Sequence, residues 1–152
     1  MLNHHPQPAG FTLLELMIVL SLVSIITGIG ALSHRAMRPG LELSAATRQV
    51  VMDLKLARMR AATQGVGHRI VFPDGGVRYQ PQRQGSNGSY TDAGTSVPLP
   101  QGIQIADCSA NSDAIGFRPR GNAASFGTVT LRNSRGDVRQ VIVNINGQVR
   151  VQ

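Results

Sequence analysis

From Phe11 to Leu32 the chain runs for 22 residues, FTLLELMIVLSLVSIITGIGAL, with Glu15 as its only charge. A helix of that length spans roughly 33 Å, the thickness of a bilayer core. The 120 residues that follow are too few to enclose it as a buried core helix. A secretory signal peptide would show a basic start, a shorter apolar stretch and a small-residue cleavage site, and none is present. The run is therefore expected to be a transmembrane helix over 11–32. Everything else must be arranged around an anchored chain.

Glu15 is the exception within the run. A carboxylate at the centre of a bilayer costs about 2.5–3.5 kcal/mol. Lying one turn inside, it has two readings: it reaches the interface, or it takes a cationic partner once the helix packs among others.

Gly10-Phe11-Thr12-Leu13-Leu14-Glu15, followed by an unbroken apolar run, resembles the leader of type IV pilins and pseudopilins. The resemblance implies a leader over 1–10, cut between Gly10 and Phe11 by a prepilin peptidase. It implies N-methylation of Phe11 and an assembly role for Glu15, which would pair with the amine of a neighbouring subunit. The leader departs from the family pattern in carrying His4 and His5 rather than Lys or Arg. Arg35 and Arg38 follow the run, so the positive-inside rule alone would orient the helix the opposite way.

Beyond the run, Pro39-Gly40 is expected to interrupt the helix, because proline lacks the amide donor and clashes with the preceding turn. The helical period then resumes from Leu43, and 33–63 is expected to continue the stalk as an amphipathic helix. Leu43, Thr47, Val50, Leu54, Ala57 and Ala61 form its buried stripe, and Gly65 and Gly67 end it. That stripe needs a partner, most simply a sheet of the same domain.

Over 64–152 the period becomes strand-like. Arg69–Phe72 and Val77–Tyr79 flank Pro73-Asp74-Gly75-Gly76, a hairpin signal. Residues 81–102, rich in Gly, Ser and Pro, are expected to form a long loop. Ile103–Ala106, the alternating stretch around Val129 and Leu131, and Val138–Ile145 are strand candidates. For the last hairpin, a two-residue Asn146-Gly147 turn would mix polar and apolar side chains on both faces. A three-residue loop, Ile145-Asn146-Gly147, pairs Val143 with Val149 and Val141 with Val151 and makes one face apolar, so that register is expected. Arg150 then points to solvent.

Ala57-Arg58, Gly116-Phe117-Arg118-Pro119-Arg120-Gly121 and Gly147-Gln148-Val149-Arg150 are similar to the GspH/FimT branch of minor pilins and type II secretion minor pseudopilins. The fold this implies is α+β and pilin-like: a long N-terminal helix, half in the membrane and half amphipathic, packed on antiparallel β-sheet. It further implies a single-pass protein of the inner membrane with a periplasmic globular domain. Its partners would be other pilins or pseudopilins, in a filament and near its tip. Some members bind DNA for uptake through a C-terminal Gly-Arg-x-Arg motif. Here the first Arg is replaced by Gln148, so only Arg150 carries over.

The charge of +7 comes from 15 basic residues, of which Lys55 alone is not Arg, against 8 acidic ones. It falls in two blocks, +4 over 33–62 and +5 over 115–152. Arg118, Arg120, Arg132, Arg135, Arg139 and Arg150 make up the second. Placed together on the solvent side of one sheet, they would follow a phosphate backbone in a salt-sensitive manner, which is the alternative, DNA-binding reading. Solvation of an Arg-rich surface is the plainer one.

Other chemistry is not signalled. Past the leader only His34 and His68 remain, without ligand spacing, so no metal is expected, and no cofactor fingerprint or catalytic motif appears. Cys108 has no partner for an intrachain disulfide. Arg135-Gly136-Asp137 sits where a hairpin turn is needed.

Overall fold

The structure, a computed structural model, describes residues 10–152; for 29–37 it describes the backbone alone. Residues 1–9, most of the expected leader, and the side chains of 29–32, at the end of the apolar run, lie outside the described residues. Two units are distinguished, one ending at Met37 and the other spanning Arg38–Gln152.

Helix α1 is assigned over Leu13–Gln64. Thr12 caps its start, its hydroxyl accepting a hydrogen bond from the Glu15 amide at 3.2 Å, as expected of a Thr-x-x-Glu capping sequence. In the first unit the polar side chains satisfy themselves. Ser21, Ser24 and Thr27 donate to the carbonyls of Met17, Leu20 and Val23 at 2.8, 2.8 and 2.7 Å. Among the described residues no helix is long and apolar enough to cross a membrane.

The expected interruption at Pro39-Gly40 does not occur: the backbone there is helical. Proline removes one helical hydrogen bond, a local cost that good helix-forming residues on both sides override. The helix ends as expected, with Gly65 in the left-handed region at φ +66°.

The second unit is built on the predicted stripe. Leu43, Thr47, Val50, Leu54, Ala57 and Ala61 are all buried, joined by Ala46. They share one core with residues from two antiparallel sheets. The first sheet comprises β1 (His68–Val71), β2 (Arg78–Gln84), β3 (Tyr90–Asp92), β4 (Val97–Pro98), β6 (Ala114–Phe117) and β7 (Ala123–Ser125). Its order is β3-β2-β1-β6-β7, with β4 also pairing β2. The second contains β5 (Ile103–Cys108), β8 (Gly127–Asn133), β9 (Val138–Val143) and β10 (Val149–Val151) in the order β10-β9-β8-β5. Ile70, Phe72, Tyr79, Ile115 and Phe117 from the first sheet and Ile105, Val129, Leu131 and Val141 from the second close over the helix stripe.

The last hairpin takes the expected register, Val143 opposite Val149 and Val141 opposite Val151, with Gly147 left-handed at φ +75°. The Pro73–Gly76 turn closes, its Gly76 amide donating to the Pro73 carbonyl at 2.9 Å. It is not a tight hairpin, however, because Val71 pairs with Gln80. The intervening backbone instead covers the edge of β5: the Gly75 amide donates to Ile105, and the Ile105 amide to Gly76, each at 2.8 Å.

The 81–102 stretch is not one long loop. It holds the end of β2, all of β3 and β4, and a tight Gly85–Ser89 turn. These strands carry Gln82, Gln84, Thr91 and Asp92 at partly or fully exposed positions, so no apolar alternation announces them. Strand β6 was also unannounced; all four of its residues are buried, which erases the period of two.

Candidate assembly site and basic residues

The N-terminal motif lies on an uncovered surface. Gly10, Phe11 and Glu15 are exposed, and the large apolar side chains from Phe11 to Ile26 are 48–86% exposed. Glu15 sits in the first turn of α1, where a carboxylate also complements the helix dipole. Within the second unit the helix keeps a further apolar face outward. Leu41, Met52 and Met59 are 64, 70 and 57% exposed, and Met52, Lys55, Leu56 and Met59 border one shallow groove.

The three downstream motifs, far apart in sequence, meet at one point. Arg58 on α1 donates from Nε to the Gly121 carbonyl at 2.8 Å. Gly121 closes the Arg118–Gly121 turn, its amide donating to Arg118 at 2.8 Å, with φ at +81°. Gly147 lies against the same carbonyl: a Cβ there would stand 2.4 Å from the Gly121 oxygen and 3.3 Å from Arg58 Nε. The Ala123 amide donates to the Ile145 carbonyl at 3.1 Å and ties β7 to the β9–β10 turn. The arrangement clasps helix, first sheet and second sheet together. No local pattern in the sequence reveals it, since its members are separated by 63 and 26 positions.

The six C-terminal arginines are all exposed, but they do not share a face. Arg118 and Arg120 lie in the turn between β6 and β7. Arg132 stands opposite Val138, and Arg150 opposite Ile142, so these two share the outer side of the second sheet. Their separation is roughly 13 Å along the strands and about 10 Å across them. Arg139 pairs with buried Leu131 and has the opposite parity, reaching solvent only because it lies near the strand end. Arg135 is in the β8–β9 turn, where the buried Asn133 accepts the amides of Arg135 and Asp137 at 3.0 and 2.9 Å. Of the six arginines expected on the solvent side of one sheet, the strand register therefore places only Arg132 and Arg150 there.

Several buried polar groups hold the core. The Tyr79 hydroxyl donates to the Asp53 carboxylate and accepts from Gln49 Nε2 at 3.1 Å. Burial and the Asp53 bond push the Tyr79 phenol far above its ordinary value. His68 is 4% exposed, 3.0 Å from Gln64 Oε1. Burial, then Arg60 and Arg83, lower its pKa. Burial likewise pushes the Cys108 thiol up to about 11, and its amide donates to Asp74 Oδ1 at 3.0 Å. Among the described residues no group of three His, Cys, Asp or Glu side chains could hold a metal.

Residues 46–147 match the family model described as type II transport protein GspH. The chain belongs to the GspH family. This GspH-family chain also matches the prokaryotic N-terminal methylation motif over residues 7–31. The comparison with curated proteins finds no match. Among solved structures, it is similar in fold to the minor pseudopilin EpsH of the type 2 secretion system of Vibrio cholerae. That match has a TM-score of 0.60 at 13% identity and covers 73% of this chain and 96% of the other. It is also similar to the type IV minor pilin FimU of Pseudomonas aeruginosa, with a TM-score of 0.57 at 16% identity, covering 73% and 88%. Both likenesses are of fold: the expected helix packed on antiparallel sheet is the architecture observed.

Proposed function

We propose that this GspH-family chain is a filament subunit, a minor pilin or pseudopilin of a type II secretion or type IV pilus machine. The observation that carries the reading is the coincidence, on one helix, of the Gly10–Glu15 motif with large apolar side chains that are exposed among the described residues. Burying a large apolar side chain is worth about 1.5–3 kcal/mol, so a surface of this extent is built to meet lipid first and other helices afterwards. In this reading residues 1–10 are a leader removed by a prepilin peptidase, 11–32 span the inner membrane, 33–63 continue the stalk, and 64–152 form a periplasmic globular domain. The amine of the methylated Phe11 and the Glu15 carboxylate are the charges that neutralise one another between neighbouring subunits. A place near the filament tip belongs to the same proposal. Within the second unit the outward Leu41, Met52 and Met59 offer a further apolar contact surface.

Glu15→Ala tests it. The variant is expected to fractionate with membranes as wild type does, yet to be missing from filaments sheared from the cells. Normal incorporation would remove the assembly role of Glu15.

A further inference from the structure

The outer face of the first sheet carries a polar cleft that the filament reading does not use. Its cation is Arg69 on β1, half-buried and held from two sides. Its Nε donates to Gln82 Oε1 at 2.8 Å, and Cζ lies 4.1 Å over the centre of the Tyr90 ring. Gln82 is fixed in turn, donating to Asp92 Oδ1 at 3.0 Å. One row of side chains across β3, β2 and β1 thus locks the guanidinium while committing a single one of its donors. On the other side Arg69 is opposite Gly116 of β6. A Cβ at Gly116 would come within 3.3 Å of Arg69 Cβ, so the missing side chain hollows out the sheet there.

The resulting cleft has a volume of about 240 Å³, with Asn111, Ser112 and Ser125 lining it beside Arg69 and Tyr90. The side chains of Asn111, Ser112 and Ser125 take no part in the hydrogen bonds found among the described residues. Ser112 is held in the left-handed region at φ +57°, a conformation costing of order 1–3 kcal/mol at a residue other than glycine. A pre-oriented guanidinium faced by uncommitted hydroxyl and amide groups is suited to a planar oxyanion, which it can bind through two parallel N–H donors.

We propose that this cleft receives the carboxylate of an acidic side chain on another protein chain, lying as an extended acidic peptide across the outer face of the first sheet. Size selects that ligand. Small-molecule pockets run from about 300 to 1,000 Å³ and enclose most of their ligand, whereas this cleft is smaller and open. It can hold one side chain, with the remainder of the peptide supplying the anchorage. A nucleic-acid backbone engages several cations at once, and among the described residues Arg69 is the only cation lining the cleft. The proposal stands independently of the filament reading.

The test uses the isotope-labelled full chain in detergent micelles, titrated with a blocked Gly-Ser-Glu-Ser-Gly peptide, its Gln counterpart and free glutarate. Saturable shifts of the Tyr90, Gly116 and Ser125 amides are expected with the Glu peptide. The Gln peptide should bind about tenfold more weakly, the loss of one charge-assisted bond. Arg69→Lys, which keeps the charge and loses the fork, should weaken the Glu peptide by a similar factor. Ser125→Val, a change on an edge strand, should weaken it several-fold and carries the test if the Lys variant loses its folded spectrum. Equal affinity for the Glu and Gln peptides, or an unaltered affinity in a folded Arg69→Lys or Ser125→Val variant, would overturn the proposal. Glutarate binding as tightly as the peptide would overturn the protein partner and leave a small carboxylic acid in its place.

Discussion

Arg58 and Gly121 are joined by a hydrogen bond of 2.8 Å between a helix side chain and a turn carbonyl 63 residues later. The bond closes a three-way contact, because Gly147 packs against the same carbonyl from the second sheet. Motifs that read as separate signatures in the sequence are, in the folded chain, parts of one structural clasp. Their task is to hold the helix and both sheets in register.

Gly147→Ala is therefore expected to destabilise the second unit. The left-handed backbone alone costs about 1–3 kcal/mol, and the added Cβ would overlap the Gly121 oxygen. Arg58→Ala leaves that half-buried carbonyl unpaired, at about 1–3 kcal/mol. Chemical unfolding of the full chain in detergent should show both losses. Because the residues share one contact, the double variant should lose less than the two single losses combined.

His68 gives the fold an acid sensitivity. Its folded pKa lies below the ordinary 6.5, so above that pH the imidazole is neutral in both states and costs nothing. Below about 6.5 the unfolded chain takes up a proton that the folded chain resists, and stability falls until the folded pKa is passed. His68→Gln should flatten the decline in unfolding midpoint below pH 6.5. An unchanged slope would assign the acid sensitivity to other groups.

Cys108 should be a poor nucleophile. It is 5% exposed, and a thiol pKa of about 11 leaves almost no thiolate at pH 8. A thiol reagent should label the native chain slowly and the denatured chain at once. Rapid native labelling at pH 8 would mean that the β5 end opens readily.

The DNA reading has a quantitative signature. Retardation of duplex DNA by the full chain in detergent should weaken with salt, and Arg150→Ala should lower the affinity. If only Arg132 and Arg150 engage phosphates together, the slope of log affinity against log salt is about −1.8; six arginines acting at once would give about −5.4. Unchanged affinity in Arg150→Ala would exclude that residue from any DNA contact.

The local patterns in the chain were legible wherever one face of an element is buried and the other is not. The Leu43–Ala61 stripe has the helical period because a single side of α1 meets the sheets. The Val141–Val151 hairpin register could be read because a one-residue slip would turn valines to water. Where burial has no period, the reading failed. Strand β6 is buried on all sides, β2 carries glutamines and β3 carries Thr91 and Asp92 toward solvent, so a polar stretch that looked like loop is half of a sheet.

The sequence by itself determined that the chain carries an apolar N-terminal helix with one carboxylate, an amphipathic continuation and a β-rich remainder. Those properties depend on composition and on periods shorter than about ten residues. Tertiary structure alone decided that only Arg132 and Arg150 of the C-terminal arginines share the outer side of the second sheet, that Arg58, Gly121 and Gly147 form a clasp, and that Arg69 is held beside the hollow at Gly116. Each depends on strand order and register between segments dozens of residues apart. Side-chain alternation specifies which face a residue takes on its own strand, but not which strand lies beside it.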